Sequence, residues 1–320
     1  MRVIVLGAAG FIASHLVEEL IRQGHEILGM DDLSIHDGQR PKWVHSTRKN
    51  GAKWILGGVG DCANEWNIHQ ELTEFDPDVI FNLAVKPLPH SLEYPVDNFK
   101  TNTAIIYNIL DTMKRVNRKR EYTDRNPIRL IHFSSSEVYG TAQDDIMTEE
   151  HVLRPTTPYA AAKNACDALV ISYVKTYGID ATIVRPFNTI GPRQNDKSYA
   201  AIIPLTVKRI KEGIPPIIYG DGSHTRDFTA VEDIVRGAIA AMKHGRPGEV
   251  YNLCSSVETS VIQLMDMISD ELGYKGGYQF SDERPGDVTR HLGCNLKAKK
   301  ELGWEPKVPI REAVRRAIHG

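Results

Sequence analysis

The stretch Arg2-Val3-Ile4-Val5-Leu6-Gly7-Ala8-Ala9-Gly10-Phe11-Ile12-Ala13 decides the fold. A short β-branched apolar run leads into two glycines and then into a helical pattern through Leu16 and Leu20, which predicts a strand, a tight turn and a helix. Backbone N–H groups at the start of such a helix suit a pyrophosphate. The spacing is G-x-x-G-x-x-A, not the usual G-x-G-x-x-G of dinucleotide sites. A turn that uses its glycines only for geometry is therefore the alternative at this point.

A second predicted strand, from Glu26 to Met30, ends in Asp31-Asp32-Leu33-Ser34. A carboxylate about twenty residues after the glycines can hydrogen-bond an adenosine ribose, and it repels the 2′-phosphate of NADP. This second feature favours a dinucleotide site over a purely geometric turn. It also favours NAD over NADP.

Further apolar runs alternate with helical patterns along the first part of the chain. Strands are predicted at 53–56, 79–83, 128–133 and 181–184, and helices at 98–116 and 159–176. This alternation predicts an α/β fold with a doubly wound parallel sheet. Two of these strands lead to Asp61 and Lys86, which would then lie at the ligand-binding edge of the sheet. The basic run from Lys114 to Arg125 is interpreted as a solvated loop.

The composition favours a small-molecule partner. Over 320 residues the net charge is −2, which gives no electrostatic case for binding nucleic acid or a membrane surface. The four cysteines form no Cys-x-x-Cys pair, so we expect neither a metal site nor a disulfide framework, and a reducing cytoplasm is the expected location. The apolar start of the chain is too short for a signal peptide, and no run approaches a membrane span.

The run Pro158-Tyr159-Ala160-Ala161-Ala162-Lys163 carries a candidate for acid–base chemistry. In a helix, Tyr159 and Lys163 lie one turn apart on the same face. A fixed cation lowers the pKa of a neighbouring phenol, which would make Tyr159 a usable base. Ser135, just upstream, could hold the substrate hydroxyl whose proton the tyrosine takes. Alone, this spacing also fits an ordinary surface helix.

In their order along the chain, these motifs resemble those of extended short-chain dehydrogenase/reductases, in particular the nucleotide-sugar epimerase/dehydratase branch. The matching segments are Gly7 to Ala13, Asp31 to Ser34, Ser134 to Gly140, Pro158 to Lys163, Arg185 to Asn188, Ile218 to Gly222, Arg226 to Phe228, Arg284 to Asp287 and Leu302 to Trp304. The resemblance covers nearly the whole chain. It implies a Rossmann-like NAD-binding domain over 1–186, to which about 229–257 returns. It also implies a smaller C-terminal substrate-binding lobe, formed mainly by 187–320.

The same resemblance assigns roles to individual residues. Ser135, Tyr159 and Lys163 would be the catalytic set, with Ser136 and Glu137 beside it. The residues implied for NAD are Gly7, Gly10, Phe11, Ile12, Asp31, Asp32, Leu33, Ser34, Asp61, Leu83, Ala84, Lys86, Asn102, Tyr159, Lys163 and Pro186. Those implied for a UDP-, GDP- or dTDP-linked sugar are Asn188, Arg193, Tyr219, Arg226, Arg284 and Asp287. Arginines suit the diphosphate, although each could instead pair with an acidic neighbour inside the lobe.

By resemblance, Tyr159 removes the proton of the sugar's 4-hydroxyl while hydride leaves C4 for NAD, which gives a 4-keto sugar. Glu137 stands where dehydratases carry their C5 base and 4-epimerases usually have a small residue. This favours an NDP-sugar 4,6-dehydratase, followed by a 4-epimerase and then a UDP-glucuronate decarboxylase. Ser136 in place of an aspartate and Asn82 in place of a frequent histidine depart from the pattern. A catalytically silent NAD-binding regulator is the non-enzyme alternative, and the resemblance also implies a homodimer through helices 98–116 and 159–176.

Overall fold

The computed structural model describes residues 1–123, 125–195, 201–283 and 286–320. Its strands, in chain order, are β1 (Arg2–Leu6), β2 (Glu26–Asp31), β3 (Lys53–Leu56), β4 (Val79–Asn82), β5 (Arg129–Phe133), β6 (Asp180–Pro186), β7 (Asn188–Ile190), β8 (Ile217–Tyr219), β9 (Thr225–Ala230), β10 (Val250–Leu253), β11 (Glu258–Ser260) and β12 (Gln279–Ser281). Its α-helices are α1 (Phe11–Arg22), α2 (Lys42–Lys49), α3 (Glu65–Glu74), α4 (Leu88–Glu93), α5 (Pro95–Arg120), α6 (Pro158–Tyr177), α7 (Ile202–Lys211), α8 (Val231–His244), α9 (Val261–Leu272) and α10 (Ile310–His319).

A seven-stranded parallel sheet forms the larger domain, in the order β3-β2-β1-β4-β5-β6-β10. The chain winds outward from β1 through β2 to β3 and then continues on the other side of β1 with β4. Ligands of such sheets bind beyond the carboxyl ends of the strands where this reversal occurs. The predicted Rossmann-like, doubly wound parallel sheet is confirmed.

Both faces of this sheet are buried, which explains the continuous apolar strands of the sequence. Side chains alternate along a strand, so Val3 and Val5 of β1 belong to the core beneath α1 and α8. Ile4 and Leu6 belong to the opposite core, beneath α3 and α5. The carboxyl end of β1, where the glycine turn begins, is therefore fixed from both sides.

A smaller lobe follows β6. It contains a three-stranded sheet in the order β11-β9-β7 and a pair formed by β12 and β8. Its apolar core includes Ile203 of α7, Leu264 of α9 and Val314 of α10. Between these elements, α8 and β10 return to the larger domain, where β10 pairs with β6.

The basic run after Lys114 is not a solvated loop. The helix α5 continues to Arg120, which is 4% exposed. Its Nε donates to Asp76 at 3.1 Å and its Nη2 donates to the carbonyl of Pro77 at 2.8 Å. Arg115 forms ion pairs with Glu65 on α3 and with Asp111. The solvated-loop interpretation was wrong because these acidic partners, some of them distant in sequence, hold the arginines against the domain. None of the described helices is long and apolar enough to cross a membrane.

Candidate active site

A cavity of about 340 Å³ lies beyond the carboxyl ends of β1, β2, β4, β5 and β6. Fifteen residues implicated from the sequence line it, namely Gly7, Gly10, Phe11, Ile12, Asp31, Asp32, Ser34, Asp61, Leu83, Ala84, Lys86, Ser135, Tyr159, Lys163 and Pro186. These residues come from separate segments between positions 7 and 186. The structure therefore brings the candidate cofactor residues and the candidate catalytic residues into a single site.

The backbone of the glycine turn forms part of the cavity wall. Gly7 has a φ of +71°, and a Cβ there would lie 2.7 Å from the Cα and N of Ala84, the backbone that follows β4. The helix α1 begins after Gly10 without a side-chain cap, so its first N–H groups are not satisfied by a capping side chain. A close approach of two loops beside an uncapped helix start fits the pyrophosphate of a dinucleotide.

Two adjacent carboxylates after β2 have different partners. Asp31 is 6% exposed and accepts hydrogen bonds from the backbone N–H groups of Ala9 at 2.9 Å and Leu33 at 2.7 Å. Burial raises its pKa, although these two N–H groups act in the opposite direction. Asp32 accepts from the Ser34 hydroxyl at 2.8 Å and from Lys86 Nζ at 3.3 Å. Burial alone would raise the Asp32 pKa, but these partners hold it below its ordinary value. Asp31 thus stabilises the glycine turn by accepting from its backbone, and Asp32 presents an anionic carboxylate at the cavity.

Two residues implicated in NAD binding act behind the cavity wall. Leu33 is buried and adopts a left-handed backbone with a φ of 60°. Asn102 on α5 accepts from the Lys86 N–H at 2.8 Å and donates to the Lys86 carbonyl at 3.1 Å. Neither side chain is among the groups that line the cavity. They shape the two loops that carry Asp32 and Lys86.

Ser135, Tyr159 and Lys163 meet at the cavity. The helix α6 begins with Thr157 as N-cap, which accepts from the Ala160 N–H at 3.2 Å, and this start points Tyr159 and Lys163 toward β5. Ser135 and Tyr159 share a side-chain hydrogen bond. Lys163 is 4% exposed and donates from Nζ to the Phe133 carbonyl at 2.7 Å.

The expected effect of Lys163 on Tyr159 is not what this geometry gives. Burial raises the pKa of Tyr159, and the hydrogen bond from Ser135 opposes that shift while the charge of Glu137 adds to it. Burial also lowers the pKa of Lys163. The prediction of a lowered phenol pKa was wrong for the protein alone, since the cost of burying a phenolate outweighs the neighbouring ammonium. Further positive charge at the cavity would favour the phenolate.

Ser136 and Glu137 lie in a 3-10 turn that follows Ser135. The Ser135 hydroxyl caps this turn by accepting from the Glu137 N–H at 3.2 Å. Ser136 is 3% exposed, and neither Ser136 nor Glu137 is among the residues that line the cavity. Burial raises the pKa of Glu137, while the charge of Arg226 opposes this shift and that of Asp287 adds to it. Glu137 is thus a carboxyl group between Tyr159 and two residues implicated in sugar binding.

The remaining substrate candidates lie apart from one another. Asn188 begins β7, and its buried Nδ2 has no hydrogen-bond partner among the described residues, which leaves a donor for a ligand. Tyr219 ends β8 and is 37% exposed, outside the cavity lining. Arg193 donates to Glu18 at 2.8 Å and lies over the ring of Trp43. It therefore pairs with an acidic residue, the alternative to a diphosphate contact, and does not line the cavity. Arg284 lies outside the described residues.

Sequence reasoning missed part of the cavity wall. The additional lining residues are Ala13, Ile35, Gly60, Cys62, Val85, Thr101, Ile105, Phe133, Ser134, Phe187 and Thr189. Several of them adjoin implicated residues, and a search of every motif neighbour would have found Val85, Phe133 and Ser134. Cys62 follows the implicated Asp61, and burial raises its thiol pKa well above the ordinary value, whereas Ile105 adjoins no implicated residue. Among the described residues no group of three His, Cys, Asp or Glu side chains could hold a metal ion.

The fold and the grouping of Ser135, Tyr159 and Lys163 beside a dinucleotide cavity define an extended short-chain dehydrogenase/reductase. The chain belongs to the family described as GDP-mannose 4,6 dehydratase, whose model matches residues 4–317. The predicted family is therefore confirmed.

Individual relatives differ in activity. The UDP-glucose 4-epimerase of Mycolicibacterium smegmatis is 31% identical over 99% of this chain and 97% of its own. A structure of UDP-glucose 4-epimerase from Thermotoga maritima with UDP-glucose is 27% identical, with a TM-score of 0.89 over 100% of this chain and 98% of that one. The dTDP-glucose 4,6-dehydratase of Bacillus anthracis in complex with NAD is 26% identical, with a TM-score of 0.87 over 100% and 96% of the two chains. The NAD in that structure agrees with the predicted cofactor.

Proposed function

We propose that this protein uses NAD to convert a nucleoside diphosphate sugar through a 4-keto intermediate, and that the overall reaction is a 4,6-dehydration. The observation that carries the proposal is the Glu137 carboxyl group beside Tyr159, with Arg226 and Asp287 of the lobe acting on it. A second acid–base group next to the tyrosine has no use in a simple inversion at C4. It is required for elimination across C5 and C6.

The cavity supports NAD as the cofactor. The glycine turn at Gly7, the uncapped start of α1 and the carboxylate of Asp32 offer places for a pyrophosphate and a ribose. When bound, NAD supplies the acceptor for a hydride from the sugar and returns that hydride later in the cycle. The sugar would be UDP-, GDP- or dTDP-linked, with Asn188 and Arg226 at the entrance from the lobe.

The protein's own groups account for the proton transfers. Ser135 holds the 4-hydroxyl of the sugar, and Tyr159 takes its proton as C4 becomes a ketone. The ketone acidifies the C5 hydrogen, which Glu137 removes. The C5–C6 double bond forms as the C6–O bond breaks, and the same proton leaves Glu137 with the hydroxyl as water. C6 would then receive the hydride that left C4, and C5 would take up one proton, which balances the proton that Tyr159 removed from the 4-hydroxyl. Of the two residues that follow Ser135, only Glu137 carries a carboxyl group whose charge acts on Tyr159, so we assign both proton transfers of the elimination to it. Burial raises the Glu137 pKa above its ordinary value, which makes the carboxylate a stronger base for the C5 proton.

A 4-epimerase is the second candidate. It needs only to turn the ketone over and return the hydride to the other face. The burial of Ser136, which removes the second acid of a dehydratase pair, favours this candidate, as does the 31% identity to an epimerase. A UDP-glucuronate decarboxylase ranks third, since its reaction needs a carboxylate on the substrate itself.

The decisive test is the product mass from separate UDP-, GDP- and dTDP-sugars, including UDP-glucuronate. We expect a product lighter by one water with no net change of NAD. We also expect Glu137→Gln to lower this elimination by roughly 10²–10⁴-fold, because the amide keeps the shape and cannot accept the C5 proton. Ser136→Ala is the matched control and should change the rate only a few-fold. An isomer of unchanged mass that still forms in Glu137→Gln would identify an epimerase.

We also propose a homodimer formed through α5 and α6. On α5 the described structure exposes a row of large apolar side chains, with Val96 65%, Phe99 43% and Tyr107 48% exposed. Covering them would bury apolar area that a monomer leaves in water. Light scattering at micromolar concentration should give twice the chain mass, and Tyr107→Glu should give monomers. A wild-type protein that is monomeric throughout would contradict the proposal.

The free, buried state of all four cysteines supports a reducing cytoplasm as the location.

A further inference from the structure

One face of α6 carries a third polar residue below the two catalytic candidates. Tyr159, Lys163 and Asp167 follow one another at intervals of four residues, one helical turn apart. Phe133, the last residue of β5, and the two serines that follow it contact all three of these residues. The phenylalanine carbonyl accepts from Lys163 at 2.7 Å, the first serine donates to Asp167 Oδ2 at 2.9 Å, and the second serine is hydrogen-bonded to Tyr159. The end of β5 and the turn after it are thus held to α6 at three successive helical turns.

Asp167 is a fully buried carboxylate with strong partners. It is 1% exposed. Its Oδ2 accepts from Nε of Arg185 at 3.1 Å and from Nη2 at 2.9 Å. Arg185 is 2% exposed and donates from Nη1 to the Tyr139 hydroxyl at 2.9 Å. The cluster therefore holds two buried cations, Arg185 and Lys163, around this carboxylate, which is costly unless the charges are paired.

The second oxygen of Asp167 is not neutralised by a cation at hydrogen-bond distance. Asp167 Oδ1 has no hydrogen-bond partner among the described residues. The nearest ring nitrogen, Nε2 of His132, lies 3.9 Å away and also lacks a partner. Burial and the charge of Lys163 lower the His132 pKa well below its ordinary value, so the imidazole is neutral. The charge of Asp167 also acts on Lys163, which lies one helical turn before it on the same face of α6.

We propose that Asp167 is a positioning residue for the reaction: its carboxylate keeps the Lys163 ammonium charged and fixes the end of β5 against α6. No catalytic contact is assigned to it. Its role in turnover rests on the proposed function, whereas its effect on Lys163 is a property of the folded protein and can be measured without substrate.

The sign of the effect follows from the groups around Lys163. Cys166 and Asp167 on α6 act on Lys163 directly, and Lys163 acts on His132 of β5. Arg185 on β6 acts on Asp167, and Glu137 acts on Tyr159. Burial lowers the Lys163 pKa, and the charges of Cys166 and Asp167 oppose that shift. Burial raises the pKa of the Cys166 thiol to about 12, so Asp167 supplies the negative charge at lower pH. Asp167→Asn removes the opposing charge and leaves Arg185 unbalanced. Lys163 should then lose its proton at a lower pH than in the wild type.

The test is a carbon-13 NMR titration of lysine side chains in the full chain without sugar, with the Lys163 signal assigned from its loss in Lys163→Met. We expect the Lys163 midpoint to move to lower pH in Asp167→Asn and to stay in place in Ser134→Ala, which removes a hydrogen bond but keeps the charge. Equal midpoints in wild type and Asp167→Asn would overturn the proposal. A shift in Ser134→Ala as large as that in Asp167→Asn would overturn it as well.

If Asp167→Asn does not fold, Arg185→Gln provides the reciprocal measurement. It removes the competing cation, so the Lys163 midpoint should move to higher pH, and an unchanged midpoint would again refute the proposal. If the enzyme converts one of the sugars, its rate should fall at alkaline pH as Lys163 loses its proton. The midpoint of that fall should match the Lys163 midpoint from NMR in each variant. If wild type turns over none of the sugars, the proposed function fails while the titration result stands.

Discussion

Replacing Tyr159 with Phe should lower turnover of the nucleotide sugar by roughly 10²–10⁴-fold, the range for loss of a general acid–base group. The substitution removes only the hydroxyl, which shares a hydrogen bond with Ser135 at the cavity. The ring and the start of α6 at Thr157 are retained, so the fold and the NAD site should persist. The measurement pairs turnover with NAD binding by calorimetry and with the melting temperature.

The same substitution at an exposed tyrosine serves as the control. Tyr122 is 88% exposed and lies beyond the end of α5, so Tyr122→Phe should leave turnover within about twofold of wild type. An enzyme should lose turnover in Tyr159→Phe and still bind NAD. If Tyr159→Phe keeps full biological function while binding NAD, the protein is instead a catalytically silent regulator on this fold.

The features that could be predicted from the sequence are local ones. A strand, a glycine turn and a helix start lie within the first 22 residues, and they are read from spacing and from alternation between apolar and polar residues. The pairing of Tyr159 with Lys163 is equally local, because one helical turn separates them. Such patterns need no knowledge of what packs against them. They were sufficient to predict a ligand site at the carboxyl edge of the sheet.

Contacts between distant segments could not be read in this way. Arg193 is 175 residues from Glu18, its partner in the structure, and nothing in its own segment distinguishes an ion pair from a phosphate contact. Asp167 is similar, since Arg185 reaches it from the next strand and Ser134 from the previous one. Tyr139 bonds to Asn252, 113 residues away. Each pairing depends on strand order in the finished sheet.

The pKa of Tyr159 shows a different limit. Sequence reasoning supplied the nearby cation but not the depth of burial, and burial is the larger effect. The same holds for Ser136, which is buried outside the cavity lining although the adjacent Ser135 lines the cavity. A motif therefore names the groups that can take part in chemistry. Solvent exclusion decides the charge that each group carries.

Gly7→Ala is expected to destabilise the protein and to weaken NAD binding together. An alanine in the left-handed region costs about 1–2 kcal/mol. Its methyl would also lie 2.7 Å from the backbone of Ala84, so the loop after β4 must move away from β1. Backbone shifts of this kind add about 1–3 kcal/mol to the loss of unfolding free energy. Because that loop carries Leu83 to Lys86 at the cavity, NAD affinity should fall about tenfold or more, and each tenfold step is about 1.4 kcal/mol.

The chain offers a control that separates strain from contact. Gly24 has a φ of +80°, and a methyl added there would have nothing within 4 Å, so Gly24→Ala incurs the left-handed cost alone. Denaturant unfolding of both variants, with and without NAD, gives the comparison. A larger loss in Gly7→Ala, with weaker NAD binding only there, would show that the approach of the two loops builds the cofactor site. Equal losses and unchanged NAD affinity would mean that the glycine serves backbone geometry alone, which is the alternative that the G-x-x-G spacing left open.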